Sequence, residues 1–386
     1  MTAAHAHAAP ESRRLRTIAL LVIAPIAVLT VVAMIWLWPS GDTRTSGEVA
    51  GEQVGGQVTA IDPVACDDGV PAEPNGCGTA EVRLDDGGGT IEVDLTNGSG
   101  APEIAEGDSV VVLVSDTPDG DVSSIVDHER GTQLWVLVAA SALALVAFGR
   151  WRGLTALAGL VVTFAILFWF IVPAILDGES PLLVALVGSA AIMLSVLYLT
   201  HGFTLTTTVA LLGTVASFVL TGLLAYLAVA ALHLTGVTDD LSMAVETTYG
   251  IDARGLLLAG IVIGSLGVLD DITVTQAATV GELARANPGY GSRQLYGSAN
   301  RVGRAHIASV VNTIILAYAG SSLPVLVLVA ADAGSLGAAV TDQFLAQEIV
   351  RSLVATLGLV AAVPITTGLA ALALSRVEEA PAAGQD

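Results

Sequence analysis

The chain has 386 residues, of which 53% are apolar and only 13% charged, with a mean hydropathy of +0.74. Ordinary globular domains carry about 25% charged residues, so this balance excludes a soluble domain and predicts a polytopic α-helical membrane protein. All 15 basic residues are Arg, set against 36 Asp and Glu, for a formal net charge of −21. A protein that neutralises phosphates needs a basic surface, so nucleic acid is excluded as a partner.

Residues 1–16 form a tail ending in Arg13, Arg14 and Arg16. The next segment, 17–38, reads TIALLVIAPIAVLTVVAMIWLW, an uncharged run long enough to cross about 30 Å of hydrocarbon. A signal peptide and an uncleaved anchor both fit this pattern. The anchor is preferred, because the run is longer than a usual signal core and WLWPSGD offers no small-residue cleavage site.

Residues 41–130 hold 20 of the 36 carboxylates and change the pattern from helical to alternating. Runs such as GQVTAI, TAEVRL, GTIEVDL and DSVVVLVSD are separated by Gly, Asp and Asn turn signals. Four to six short strands are predicted, in a small extracytoplasmic barrel or sandwich of OB-like type between the first and second helices. Cys66 and Cys77 are the only cysteines, and on an oxidising side of the membrane a disulfide is the natural reading; two free thiols remain the alternative.

A bundle of seven further helices is predicted over 133–375, with spans at 133–149, 153–176, 182–200, 204–234, 254–279, 305–331 and 349–375, about eight in all. With the amino terminus inside, ten Arg fall on inner loops and flanks and five on outer ones. The excess places both termini, including the tail 376–386, in the cytoplasm of a plasma-membrane protein. The Arg-bearing stretch from Ala284 to Ala305 is expected to be a cytoplasmic loop with a short amphipathic helix.

Asp270 and Asp271 stand side by side in the apolar run RGLLLAGIVIGSLGVLDDITVTQAATVGELAR, residues 254–285. A carboxylate at membrane depth costs roughly 2.5–3.5 kcal/mol on insertion scales and normally faces a bundle interior or an ion path. If the helix continues through the pair, Asp271 shares a face with Gly264, Gly267 and Thr275, and Gly260, Gly264 and Gly267 let a neighbouring helix approach. If it breaks near Leu269, Asp270 instead caps a second helix. Thr275, Gln276 and Asn312 are the supporting polar residues, with Asn312 the expected hydrogen-bond partner of a buried Asp. Walker loops, nucleophile elbows and paired zinc motifs are missing from the sequence, so no cofactor, no metal site, no catalytic residue and no enzymatic activity is expected.

The stretch GSLGVLDDITVTQA, followed by GEL and later by GSANRVGRAHIASVVNTIILAYAGSSLPVLVL, together with the order of anchor, β-domain and helical bundle, resembles the YibE/F family of bacterial multispan membrane proteins. The resemblance covers nearly the whole chain and implies no catalytic residue. A Gly-x-x-Asp element followed by an Arg-bearing connection and Gly303-Arg304 is also similar to the proton-driven resistance-nodulation-division and protein-export transporters. That second resemblance implies ion or proton coupling at Asp270 or Asp271. The function expected is therefore a transporter or export accessory; the alternative is a non-transporting sensor or scaffold whose outer domain binds a partner. The lipid bilayer is the first partner, with a homo-oligomer or a membrane partner protein as the others.

Overall fold

The computed structural model describes residues 13–40, 52–66, 73–85, 87–117, 120–332, 337 and 341–375. The chain divides into two compact units, Thr45–Gly153 and a helical unit made of Met1–Arg44 with Leu154–Asp386.

In the smaller unit five strands, β1 (Glu52–Val64), β2 (Cys77–Leu84), β3 (Thr90–Asp94), β4 (Ser109–Thr117) and β5 (Gly120–His128), close into a barrel in the order β1-β2-β3-β5-β4. Strand β1 is 13 residues long and pairs antiparallel with β2 along one edge and with β4 along the other, which is what closes the sheet. Gly56 sits where it serves both neighbours, and a Cβ there would lie 2.7 Å from Val82 Cγ1, so the close approach requires Gly. The period-2 alternation sends Val58, Ala80, Val82, Val93, Val110, Val112 and Ile125 inward, all at most 1% exposed. Of the two packages expected from the sequence, barrel and sandwich, the barrel is the one formed, and β5 is the strand that the alternating runs had not singled out.

Asn75 ties the connections together. Its backbone N–H donates to Asn97 Oδ1, its Nδ2 donates to the carbonyls of Thr96 and Pro102, and its Oδ1 accepts from the Ile104 N–H, all within 2.7–2.9 Å. Cys66 and Cys77 are joined, with Cα atoms 5.1 Å apart. The same unit contains α2 (Gly131–Gly149), which the sequence had grouped with the later helices; it has no buried residue.

The helical unit comprises α1 (Arg13–Trp36), α3 (Trp151–Ile166), a π-helical turn Leu167–Ile171 leading into α4 (Val172–Leu176), α5 (Pro181–His201), α6 (Leu205–Ala231), α7 (Asp240–Tyr249), α8 (Ala253–Ala286), α9 (Ser292–Ser321), α10 (Leu323–Asp332) and α11 (Gln343–Leu374). Helix starts follow local chemistry. Thr204 accepts from the Thr207 N–H, Asp252 from the Arg254 N–H, and Asp342 from the N–H groups of Phe344 and Leu345. Asp239 and Ser242 form a reciprocal capping box at α7.

Among the described residues seven helices are long and apolar enough to cross a membrane: Gly131–Gly149, Trp151–Leu176, Pro181–His201, Leu205–Ala231, Ala253–Ala286, Ser292–Ser321 and Gln343–Leu374. The apolar segment Leu21–Trp36 of α1 is shorter. The expected inner loop with a short helix between Ala284 and Ala305 is instead mostly helix, because α8 runs to Ala286 and α9 begins at Ser292 on a Gly291–Gln294 cap and continues without interruption past Arg293, Arg301 and Arg304. The expected single span 305–331 breaks at Ser322, where α9 ends and α10 begins.

Helices α6, α8 and α11 pack against one another most extensively, with α5 and α9 against their flanks. The reason is close backbone approach at glycines outside the Gly260, Gly264 and Gly267 spacing. A Cβ on Gly213 would collide with Thr366 Oγ1, one on Gly358 with Thr221 Oγ1, and one on Gly303 would lie 2.6 Å from Val363 Cγ1 and 2.8 Å from Gln276 Nε2. The first two contacts place α6 antiparallel to α11, and the Thr214–Thr273 hydrogen bond, 2.6 Å, fastens α6 to α8.

Candidate functional site

Helix α8 is continuous from Ala253 to Ala286, so it does not break near Leu269 and Asp270 is not a cap. Through the helix the two acids point about 100° apart, and the structure separates them sharply. Asp270 is half-buried, and its Oδ1 is buried with no hydrogen-bond partner among the described residues. Asp271 is exposed. The sequence had assigned Asp271, through its small-residue neighbours, to a helix interface.

That face is the one the helical unit leaves uncovered. A Cβ on Gly260 or Gly267 would meet nothing within 4 Å, and one on Gly264 only the Tyr318 hydroxyl at 3.0 Å. A small-residue spacing permits close approach but does not create it. Here the approach is made at Gly213, Gly303 and Gly358.

Asn312, expected to bond the buried carboxylate, is exposed, and no hydrogen bond joins it to Asp270 among the described residues. Thr275 is half-buried and accepts, through its carbonyl, the Thr279 hydroxyl at 2.7 Å. Gln276 is 0% exposed. Its Oε1 accepts from the Thr367 hydroxyl at 3.0 Å, while its Nε2 has no partner among the described residues and lies against Gly303. The Thr273 hydroxyl donates to the main-chain carbonyl of Asp270 at 3.1 Å, a one-turn contact that leaves the carboxylate unengaged, and it also meets the Thr214 hydroxyl of α6.

Toward the Gln343 end of α11 lies a second polar group that the sequence did not suggest as a site. Glu348 Oε1 pairs with Arg351 Nη1 at 2.6 Å, with side-chain exposures of 14% and 28%. Glu348 Oε2, Arg351 Nε and the Nε2 of Gln347, itself 5% exposed, have no partner among the described residues. A Glu and an Arg three residues apart look, in one dimension, like an ordinary solvated helix pair; in the structure both are half-buried. No group of three or more His, Cys, Asp or Glu able to hold a metal occurs among the described residues.

Seven helices of spanning length, several of them packed about a polar axis, define a multi-pass membrane protein. Residues 137–376 match the YibE/F-like protein family, which is more than half of the chain and covers the helices from α2 to α11, and the chain belongs to that family. The matched region leaves out the barrel. No match is found among curated proteins or among solved structures.

Proposed function

We propose that this protein is a non-enzymatic transporter or export accessory of the plasma membrane, in which Asp270 couples proton or ion binding to movement of α8 against α6 and α11. The observation that carries this reading is the Asp270 Oδ1, buried in a span without a hydrogen-bond partner among the described residues. A carboxylate kept there is costly unless it exchanges a proton or a cation, and such residues mark ion paths. Of the adjacent acids, Asp270 takes the coupling role and Asp271 does not, since Asp271 stands exposed outside the packed helices. In this reading α1 is the eighth span, both termini are cytoplasmic, and the barrel lies outside as an OB-type module, a type its strand order supports.

The test is proton and cation flux in proteoliposomes for wild type, Asp270→Asn and Asp271→Asn, each checked for insertion and folding. Flux is expected in wild type and Asp271→Asn and lost in Asp270→Asn; undiminished flux in Asp270→Asn would sink the proposal. A scaffold or sensor is the second reading, favoured by the barrel's own closed core and by the unburied surface of α2 in the same unit. It requires a partner protein or a second copy of the chain. Deleting residues 45–128 would then abolish the cellular phenotype while Asp270→Asn leaves it intact.

A further inference from the structure

Buried side-chain polar atoms without a protein partner concentrate on three helices: among the described residues Gln347 Nε2, Glu348 Oε2, Arg351 Nε, Thr356 Oγ1, Ser217 Oγ, Thr366 Oγ1, Gln276 Nε2 and Asp270 Oδ1 lie on α6, α8 and α11, whereas Ser189 Oγ on α5 and His306 Nε2 on α9 lie apart from them. Four of the side chains on the three helices, Gln347, Ser217, Thr366 and Gln276, are at most 5% exposed.

Their heights follow from the packing. Gly358 meets Thr221 and Gly213 meets Thr366, so Ser217, halfway between Gly213 and Thr221 on α6, lies level with a point halfway between Gly358 and Thr366 on α11. On the helical wheel Ser217 also falls between Thr214, which bonds α8, and Gly213, which touches α11. It therefore faces the axis shared by the three helices. Gln276 stands beside Thr367. At 1.5 Å per residue the groups from Glu348 to Thr366 extend over about 27 Å, close to the thickness of a bilayer core, with gaps of roughly 6–9 Å between successive ones.

We infer that these residues line a thread of bound water through the α6–α8–α11 axis, running from the Glu348–Arg351 pair at one end to Gln276 at the other. In hydrocarbon an unsatisfied polar group costs several kcal/mol, and these groups have no protein partner among the described residues. A buried water makes two to four hydrogen bonds and so can satisfy such groups in place of a protein partner. Hydroxyl and amide groups of this kind suit water, protons and small monovalent cations. The thread's role as a path rests on the transport reading, in which Asp270 lies one helical turn before Thr273, whose hydroxyl meets Thr214 on α6.

The experiment uses full-length protein in proteoliposomes. The two cysteines are bonded to each other, so single thiols can be introduced as Ser217→Cys, Thr356→Cys and Thr366→Cys, with Leu357→Cys on the exposed apolar face as control. Silver ion, small enough to follow water, is added before denaturation and maleimide labelling. Silver is expected to protect the three thread thiols at least tenfold better than the control. Equal protection at all four positions, or none at the three, would overturn the thread. In case a variant fails to fold, water-to-side-chain magnetisation transfer to the Gln276 and Gln347 amides is measured on wild type; its absence at both overturns the inference equally. Protected thiols in a protein without flux would keep the thread and remove the transport reading, whereas flux with unprotected thiols would do the reverse.

Discussion

Gly358→Ala is the most informative single change in the helical unit. Position 358 is buried within α11, and a Cβ there would collide with Thr221 Oγ1 and lie 3.1 Å from Thr221 Cβ and 3.2 Å from Cγ2. Thr221 cannot turn away, because its β-branch leaves no narrower side and its hydroxyl donates to the Ser217 carbonyl at 2.7 Å. Helices α6 and α11 must therefore part. Overpacking of this kind costs about 1–3 kcal/mol, while replacing Gly by Ala inside a helix returns roughly 0.5–1 kcal/mol. The net expectation is a loss of about 1–2 kcal/mol. Gly260→Ala and Gly267→Ala receive the helix term alone, since nothing lies within 4 Å of their added Cβ. Thermal unfolding of the three variants in one detergent checks the ordering, Gly358→Ala below wild type and the other two at or above it. A Gly358→Ala protein as stable as wild type, or a Gly260→Ala protein equally damaged, would refute the assignment of the packed face.

Asn75→Ala removes three side-chain hydrogen bonds from the barrel's connections and should destabilise that unit by about 2–4 kcal/mol on the scale of a buried network; urea unfolding followed by barrel amide signals measures it. At α7, the Ser242 backbone N–H, and then its hydroxyl, hold the exposed Asp239 carboxyl below the ordinary carboxylate range. A lowered folded-state pKa means that the contribution is present above the unfolded value near 3.9 and is lost as pH falls through the folded value. Exchange of the Ser242 amide should therefore speed up below about pH 4 beyond its intrinsic rate, and Asp239→Asn, which can still accept the bond, should flatten that dependence.

Much of this architecture is written locally. Apolar run length marks the spans because a bilayer demands about 20 apolar residues in helical form whatever they pack against. Strand alternation in GQVTAI and TAEVRL marks the barrel because successive side chains face opposite sides. The caps at Thr204, Asp239, Asp252 and Asp342 are equally local, each side chain bonding its own helix. The candidate site was legible only as far as the helix carrying it: Asp270, Asp271 and Gln276 could be placed on one helix in a span, but not ranked.

Ranking needed the neighbours. Asp270 differs from Asp271 by 100° of rotation, and which direction is interior depends on where α6 and α11 lie. The same holds for the glycines. Gly260, Gly264 and Gly267 carry the motif spacing, yet the close contacts fall at Gly213, Gly303 and Gly358, isolated glycines whose partners are 27 to 153 residues away in sequence, between Gln276 or Val363 and Gly303, Thr221 and Gly358, and Thr366 and Gly213. Glu348 and Arg351 read as a solvated pair, yet the folded helices leave both half-buried. Hydrophobic pattern and capping are properties of a segment with itself, so the sequence determines them; burial, close approach and the pairing of polar groups are properties of two segments together, and only the tertiary structure decides those.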